Sequence, residues 1–83
     1  MNIIIVPTAK KDLKKLDKLS AEAIFKKLNA VKGNPLSHIG RLKGSQLWKL
    51  RVGDYRVLMV IDTGKSIINV IKVGHRRDIY KRL

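Results

Sequence analysis

The chain has 83 residues, of which 45% are apolar, so it can form one small core and is not typical of a disordered chain. Nineteen Lys and Arg oppose six Asp and Glu, and the net charge of +13 favours polyanionic partners. Cysteine is absent, which excludes disulfides, and no apolar run approaches the ~20 residues of a membrane span. We therefore expect a single domain over residues 1–83, cytoplasmic, not bound to a membrane and without a signal peptide.

The first half of the chain predicts a strand followed by two helices. Residues 2–6 are rich in β-branched side chains and precede Pro7, as in a short strand. Thr8 is a candidate N-cap for the first helix, and the second is predicted to begin at Ser20 and to end near Gly33. The apolar positions recur at helical spacing and are Ala9, Leu13, Leu16, Leu19, Ala21, Ile24, Phe25, Leu28 and Val31. A short connection makes these helices an antiparallel hairpin.

The remaining surface of the first helix is rich in lysine. Such a face either contacts RNA or the ribosome, or is simply solvated. Residues 34–45 show no periodicity and predict an irregular loop. This loop lacks the Gly-Lys-Ser/Thr ending of a phosphate-binding P-loop, but its Arg41 and Lys43 are candidates to contact an RNA backbone. The alternative is that the loop is only a connection.

The second half of the chain predicts three strands. Residues 47–52 alternate apolar with basic side chains, residues 55–61 are almost continuously apolar, and Gly53-Asp54 between them is typical of a hairpin turn. A further strand is predicted over 66–73. Its polar residues Asn69 and Lys72 fall on opposite parity, which predicts a strand covered on much of both faces.

The predicted order is therefore β-α-α-β-β-β. An N-terminal strand and a three-stranded antiparallel meander form one sheet, and the helical hairpin packs on one face. This gives a two-layer α+β fold, with a short C-terminal helix or turn after residue 73.

Cations of this sheet suggest phosphate chemistry. Lys49 and Arg51 share parity and emerge on one face, and Arg56 joins them from the next strand. Arginine offers a planar fork of donors matched to phosphate oxygens, and Arg76 lies where the last strand stops. These four residues and Tyr80 are the candidate catalytic set. Neither a metal nor another cofactor is expected, because an RNA 2′-hydroxyl can itself attack the phosphorus.

Several side chains are candidates for proton transfer. Lys49 acts as a base only where neighbouring cations favour its neutral form, which Arg51, Arg56 and Arg76 would provide. Tyr80 is a candidate proton donor or base-stacking residue, although packing is the alternative. The candidate RNA-binding residues are Arg41, Lys43, His75, Arg77, Lys81 and Arg82. His75 suits acid–base work, or else it only caps the strand end.

Three segments together resemble the RelE/ParE toxin superfamily: residues 42–44 (LKG), 47–57 (LWKLRVGDYRV) and 73–80 (VGHRRDIY). The resemblance extends over essentially the whole chain and is to the RelE branch, the mRNA endonucleases of type II toxin–antitoxin systems. By position, Arg56 and Arg76 match the phosphate-stabilising arginines, Lys49 one of two strand lysines, and Tyr80 the C-terminal tyrosine. The other strand lysine falls at Leu47.

The resemblance implies a RelE-like fold and cleavage of mRNA in the ribosomal A site, which inhibits translation. It also implies a RelB-like antitoxin that neutralises the toxin in a heterodimer or heterotetramer, and operator DNA bound only through that complex. Two alternatives stay open from the residues. One is a ParE-like, non-catalytic toxin that inhibits DNA gyrase, and the other is a non-catalytic module that binds RNA or the ribosome.

Overall fold

The structure is a computed structural model and describes residues 2–33, 39–41 and 46–81. The elements are β1 (Asn2–Ile5), α1 (Pro7–Lys14), α2 (Lys18–Gly33), β2 (Ile39–Arg41), β3 (Trp48–Val52), β4 (Tyr55–Asp62) and β5 (Ile67–His75). The strands form one five-stranded sheet in the order β1-β5-β4-β3-β2. This confirms the predicted α+β class. Within the described ranges, no helix combines the length and the apolar character needed to cross a bilayer.

The helical hairpin covers one face of the sheet, as predicted. β1 pairs parallel with β5, and the other neighbouring strands pair antiparallel. Buried side chains from both helices and from β3, β4 and β5 form one core cluster: Ala9, Leu13, Ile24, Leu28, Val31, Leu50, Val52, Val57, Met59, Ile68, Val70 and Val73. Strand residues between these positions point to the opposite face, which we call the open face.

Both predicted helix starts are wrong. α1 begins at Pro7 with Val6 as N-cap, because proline at the first helical position has its backbone already set for a helix. The Thr8 hydroxyl donates instead to the carbonyl oxygen of Ile71, 3.3 Å away. α2 begins at Lys18, and the Ser20 amide donates to the carboxylate of the preceding Asp17 at 3.1 Å.

Two predicted core residues are exposed. Leu19 is 78% exposed and Phe25 is 45% exposed. Leu16 and Ala21 are half-buried, and the other predicted core residues of the helices are buried. The chain leaves the helix between Lys14 and Lys18, and this break shifts the helical phase. Leu19 therefore belongs to α2 and faces away from the core.

The predicted loop over residues 34–45 contains a strand. β2 (Ile39–Arg41) pairs antiparallel with β3 and extends the sheet by one strand, so the predicted strand count was one too few. A strand of three residues is too short to show a period of two, and it gains its stability from pairing with β3. The rest of that loop lies outside the described residues.

The β3–β4 hairpin turns at Gly53 and Asp54, as predicted. Gly53 has a φ of 57°, while Asp54 keeps a negative φ. A positive φ at the first central residue alone is the pattern of a type II′ turn, which favours Gly at that position. Val52 and Tyr55 flank the turn as a pair, and this fixes the register of the whole hairpin.

A β-bulge in β5 explains the opposite parity of Asn69 and Lys72. Leu58 pairs with Lys72 but the next residue, Met59, pairs with Val70, so Ile71 is an extra residue. An extra residue reverses the facing of every later side chain in the strand. Asn69 and Lys72 consequently both lie on the open face. No residue of β5 is exposed, so the prediction that the strand is covered on much of both faces is confirmed, but the opposite parity itself comes from the bulge.

Candidate functional site

The open face carries the cations that the sequence singled out. Lys49 pairs with Leu58 across β3 and β4, and Leu58 pairs in turn with Lys72 across β4 and β5. In the next row Arg51 pairs with Arg56, which pairs with Gly74. Directly opposite residues share a face of the sheet. We call the four cations of these two rows the basic cluster: Lys49, Arg51, Arg56 and Lys72.

Arg51 and Arg56 are closely juxtaposed like charges. Val52 and Tyr55 close the two-residue turn as a hydrogen-bonded pair. The two kinds of pair alternate along an antiparallel ladder, so Arg51 and Arg56 form a non-hydrogen-bonded pair. The Cα atoms of such a pair lie about 4.5 Å apart, and like charges directly opposite are unfavourable. A bound anion would relieve this repulsion. Arg51 is exposed and Arg56 is half-buried.

Hydrogen bonds fix the position of the Arg56 guanidinium. Its Nη1 donates to the carbonyl oxygen of Gly53 at 2.9 Å and to that of Tyr55 at 2.8 Å. These bonds use the two hydrogens of one nitrogen, and a guanidinium has five N–H donors in a rigid fork. The remaining donors keep the capacity to bind two oxygens of a phosphate. The tight turn at Gly53 thus holds the side chain that follows it.

Arg76 lies at the rim of the basic cluster. Its backbone amide donates to the carbonyl oxygen of Asp54 at 2.7 Å, which extends the β4–β5 ladder one residue beyond His75. Its Nε lies 3.7 Å from the Asp54 carboxylate, and both side chains are more than half exposed. Arg76 therefore follows Gly74 on the open face, next to the β3–β4 turn. An exposed ion pair of this length is weak, and an incoming phosphate can displace it.

The C-terminal residues form a turn, as predicted, and this turn folds back onto the open face. The amides of Asp78 and Ile79 both donate to the carbonyl oxygen of His75, at 2.9 and 3.0 Å. Ile79 is 1% exposed, and a Cβ added at Gly74 would lie 3.1 Å from its Cδ1. Gly74 therefore makes room for Ile79 against the sheet. Tyr80, the next residue, is 38% exposed.

Two candidate RNA-binding residues lie on the other side of the sheet. His75 pairs with Tyr55, and their rings meet edge-on with centroids 6.0 Å apart. The His75 Nδ1 accepts a bond of 3.2 Å from the Arg77 amide, so the ring also caps the strand end. Arg41 pairs with Trp48, and its guanidinium carbon lies 5.5 Å from the centroid of a Trp48 ring. Neither joins the basic cluster.

The other candidate RNA-binding residues are dispersed. Arg77 and Lys81 are exposed on the C-terminal turn, and the Lys81 ammonium lies 3.3 Å from the Asp78 carboxylate. Lys43 and Arg82 lie outside the described residues. Of the catalytic candidates, Lys49, Arg51 and Arg56 come together and Arg76 adjoins them, whereas Tyr80 is exposed on the C-terminal turn.

Sequence reasoning missed two residues of this region. Lys72 joins the basic cluster only because of the bulge, and its one sequence signal was the parity conflict with Asn69. The Asp12 carboxylate, on α1, accepts a hydrogen bond of 3.0 Å from the Val73 amide. It thus provides a partner for a backbone group just after the bulge, where β1 no longer pairs with β5. No signal in the sequence marked Asp12, because its partner is far along the chain.

Carboxylates are rare in the strands of this surface, although Asp54 in the β3–β4 turn lies beside Arg76. The structure describes β3, β4 and β5 in full. Their one carboxylate at an open-face position is that of Asp62, at the far end of β4. Among residues 2–33, 39–41 and 46–81, no three His, Cys, Asp or Glu side chains group as metal ligands would. Away from the site, hydrogen bonds from the Ser20 side chain and amide hold the pKa of the Asp17 carboxyl below its usual value. The site is thus strongly electropositive.

Comparison with known proteins identifies the class. A family model described as "ParE toxin of type II toxin-antitoxin system, parDE" matches residues 3–80. A relative from Methanocaldococcus jannaschii named "Putative toxin RelE1" is 32% identical, over 96% of this chain and 94% of that protein. The fold and the match define a toxin of the type II toxin–antitoxin class.

Solved structures agree with that class. The RelBE2 toxin–antitoxin complex from Mycobacterium tuberculosis contains a chain with 26% identity and a TM-score of 0.80, over 90% of this chain and 96% of that one. The intact E. coli RelBE complex contains a chain with 28% identity and a TM-score of 0.78, over 89% and 94%. The chain belongs to the ParE/RelE toxin family.

Proposed function

We propose that this toxin is a ribosome-dependent, metal-independent endoribonuclease that cleaves mRNA in the ribosomal A site and so inhibits translation. The observation that carries the proposal is the basic cluster on the open face, with Arg76 at its rim. Several cations held together on one face, where β3, β4 and β5 carry a single carboxylate, suit a phosphate on which negative charge develops.

The reaction begins with attack of a 2′-hydroxyl on the adjacent phosphorus. The O2′–P bond forms and the P–O5′ bond breaks, leaving a 2′,3′-cyclic phosphate and a 5′-hydroxyl. Arg51, Arg56 and Arg76 stabilise the extra negative charge of the pentacoordinate phosphate. The fixed guanidinium of Arg56 suits this role, because a donor already in position needs no reorganisation during the reaction.

Two protons must move during this step. Lys49 takes the proton of the attacking 2′-hydroxyl, and Tyr80 gives a proton to the departing O5′. Arg51 lies two residues along β3 from Lys49, and Arg56 pairs with Arg51 from β4. Side chains therefore supply the base, the acid and the cations, so the step needs no metal ion.

Dependence on the ribosome follows from the openness of the site. Lys49, Arg51 and Arg76 are exposed, so the described part of the chain does not enclose a phosphate. A second surface has to hold the message in line for attack, and positioning of this kind supplies a large part of many rate enhancements. The ribosome holds an mRNA codon in its A site and provides that surface.

We also propose that a RelB-like antitoxin neutralises the toxin, in a heterodimer or heterotetramer that binds operator DNA through the antitoxin. The two toxin–antitoxin complexes described above support a partner of this kind. A net charge of +13 suits an acidic, partly disordered segment that folds on binding. Contact with the basic cluster would block the site directly.

A second candidate is a ParE-like toxin that inhibits DNA gyrase without chemistry. The observation that favours it is the matching family model, which is described as that of a ParE toxin. This candidate needs no particular geometry of Arg76 and Lys49. It predicts that toxicity survives their replacement as long as the fold is kept.

The test compares purified protein in a translation system made of purified components with a gyrase supercoiling assay. The nuclease predicts that wild type stops translation with the message cut, and that Arg76→Ala abolishes cutting while ribosome binding is largely kept. Lys65→Ala, at an exposed lysine in the β4–β5 turn, is the control and should cut like wild type. Inhibited supercoiling with an intact message would replace the nuclease by the gyrase inhibitor.

A further inference from the structure

The β5 bulge delivers one more cation to the open face. Ile68 and Val70 face the core, so a regular strand would also point Lys72 into the core. Because Ile71 is an extra residue, Lys72 instead pairs with Leu58 on the open face. Bulges are frequent beside active sites, where they redirect a side chain.

Side chains of α1 stabilise the bulge. β1 pairs with β5 only as far as Val70, so the later backbone groups at that edge need other partners. Thr8 donates to the Ile71 carbonyl oxygen at 3.3 Å, and the Asp12 carboxylate accepts from the Val73 amide at 3.0 Å. These two residues are four apart on one helix face. The chain thus uses two side-chain bonds to hold the backbone on either side of Lys72.

Lys72 stands opposite Lys49 across the strand between them. Both pair with Leu58, so their backbones are two strand spacings apart, about 9.5 Å. Leu58 is fully buried, although its neighbours Val57 and Met59 face the core. One lysine stands on each side of Leu58, and a lysine stem can lie along apolar surface while its ammonium group reaches solvent. The result is two point charges on either side of the central strand.

We propose that Lys72 binds a phosphate of the RNA strand next to the scissile one, and so sets the direction in which the message crosses the open face. This proposal rests on the proposed function for the identity of the polyanion. Lys49 and Arg51 are on β3 and Arg56 is on the central strand β4, whereas Lys72 is on β5. An RNA strand that contacts the cations of β3 and also Lys72 must run across β4 rather than along it.

The test measures binding of a short, labelled 2′-O-methyl RNA by fluorescence anisotropy at several salt concentrations. This probe keeps the phosphates but has no 2′-hydroxyl to attack. The variants are Lys72→Met, Lys72→Arg and Lys65→Met, the last removing an equal charge from the turn at the other end of β5. Lys72→Gln is a second uncharged variant, and urea unfolding measures the stability of each protein.

Loss of one phosphate contact should weaken binding about two- to fivefold at low salt. It should also reduce the slope of log affinity against log salt by about 0.7. Lys72→Met and Lys72→Gln should show both effects, Lys72→Arg should restore wild-type behaviour, and Lys65→Met should show neither. Equal behaviour of Lys72→Met and Lys65→Met would overturn the proposal.

Cleavage on programmed ribosomes separates this proposal from the proposed function. If wild type cuts but Lys72→Met cuts and binds like Lys65→Met, the nuclease stands and the role of Lys72 is wrong. If wild type does not cut and yet the salt dependence changes only for the Lys72 variants, the nuclease is wrong and phosphate binding by Lys72 stands.

Discussion

Removing the Ile79 side chain should release the C-terminal turn and with it part of the site. Ile79 is 1% exposed and packs on Gly74, apart from the helix-side core cluster. The turn otherwise depends on a few backbone bonds and an exposed ion pair between Lys81 and Asp78. Ile79 is therefore its main apolar anchor.

The free energy that the Ile79 side chain contributes to closing the turn follows from the apolar area that it buries. A fully buried isoleucine contributes about 1.5–3 kcal/mol. Truncation in a rigid core costs about 2–5 kcal/mol because a cavity remains, but a segment near a chain end can detach instead. In Ile79→Ala we expect the free energy that holds the turn closed to fall by about 2 kcal/mol. The open population should then rise about thirtyfold.

Amide hydrogen exchange measures this opening directly. The amide of Ile79 donates to His75 and that of Lys81 donates to Asp78, so both should exchange about thirtyfold faster in Ile79→Ala. Cleavage should fall as well, because Arg76 and Tyr80 lose their positions. Ile79→Val removes a single methylene group, with an expected cost of about 0.5–1.5 kcal/mol.

A matched control is Ile24→Ala, which truncates a fully buried isoleucine on the helix side. It should lower the global free energy of unfolding in urea without opening the turn selectively. The reasoning is refuted if the Ile79 amide exchanges as slowly in Ile79→Ala as in wild type. Fast exchange with undiminished cleavage would instead remove the C-terminal turn from the site.

Three further predictions concern the stability of the fold. Asp12→Ala leaves a β5 amide without its acceptor and should cost about 1–3 kcal/mol in urea unfolding, and a neutral result would show that water replaces the carboxylate. Gly53→Ala forces alanine to a φ of 57° and should cost about 1–2 kcal/mol, whereas Gly64→Ala, where φ is not positive, should cost less. Because the pKa of Asp17 is lowered by its bonds from Ser20, its contribution to stability is present above pH 3.8 and is lost as pH falls through the lower folded pKa. Asp17→Ala should therefore flatten the acid limb of a stability–pH curve, and an unchanged limb would exclude the cap.

The sequence predicted the parts of the fold that have a long enough pattern. The alternation around Lys49 and Arg51 predicted their shared face, and Gly53 predicted the turn that orders Arg56. β2 escaped prediction because its three residues are stabilised by pairing with β3 rather than by any pattern of their own. Both helix starts failed because proline at the first helical position starts α1 ahead of Thr8, and because the Asp17 carboxylate accepts the Ser20 amide in the first turn of α2.

The residues of the site could be predicted where alternation along a strand decides which face a side chain occupies. They could not be predicted where a contact with a residue distant in sequence decides it. Lys72 changes face through one extra residue, which a sequence presents only as a conflict of parity. Asp12 meets Val73 across 61 residues of sequence, so nothing local marks it. Histidine is a common residue in acid–base catalysis, yet the strand register places His75 beside Tyr55, on the face away from the basic cluster.

Primer extension on ribosomes stalled with a known A-site codon tests the central claim most directly. Two messages are compared, one natural and one with a single 2′-deoxynucleotide at the cut position. The account predicts one cut within the A-site codon of the natural message. It predicts no cut in the deoxy message or without ribosomes, because the attacking hydroxyl or the positioning surface is then missing. An intact natural message, or equal cutting of the deoxy message, would contradict the account.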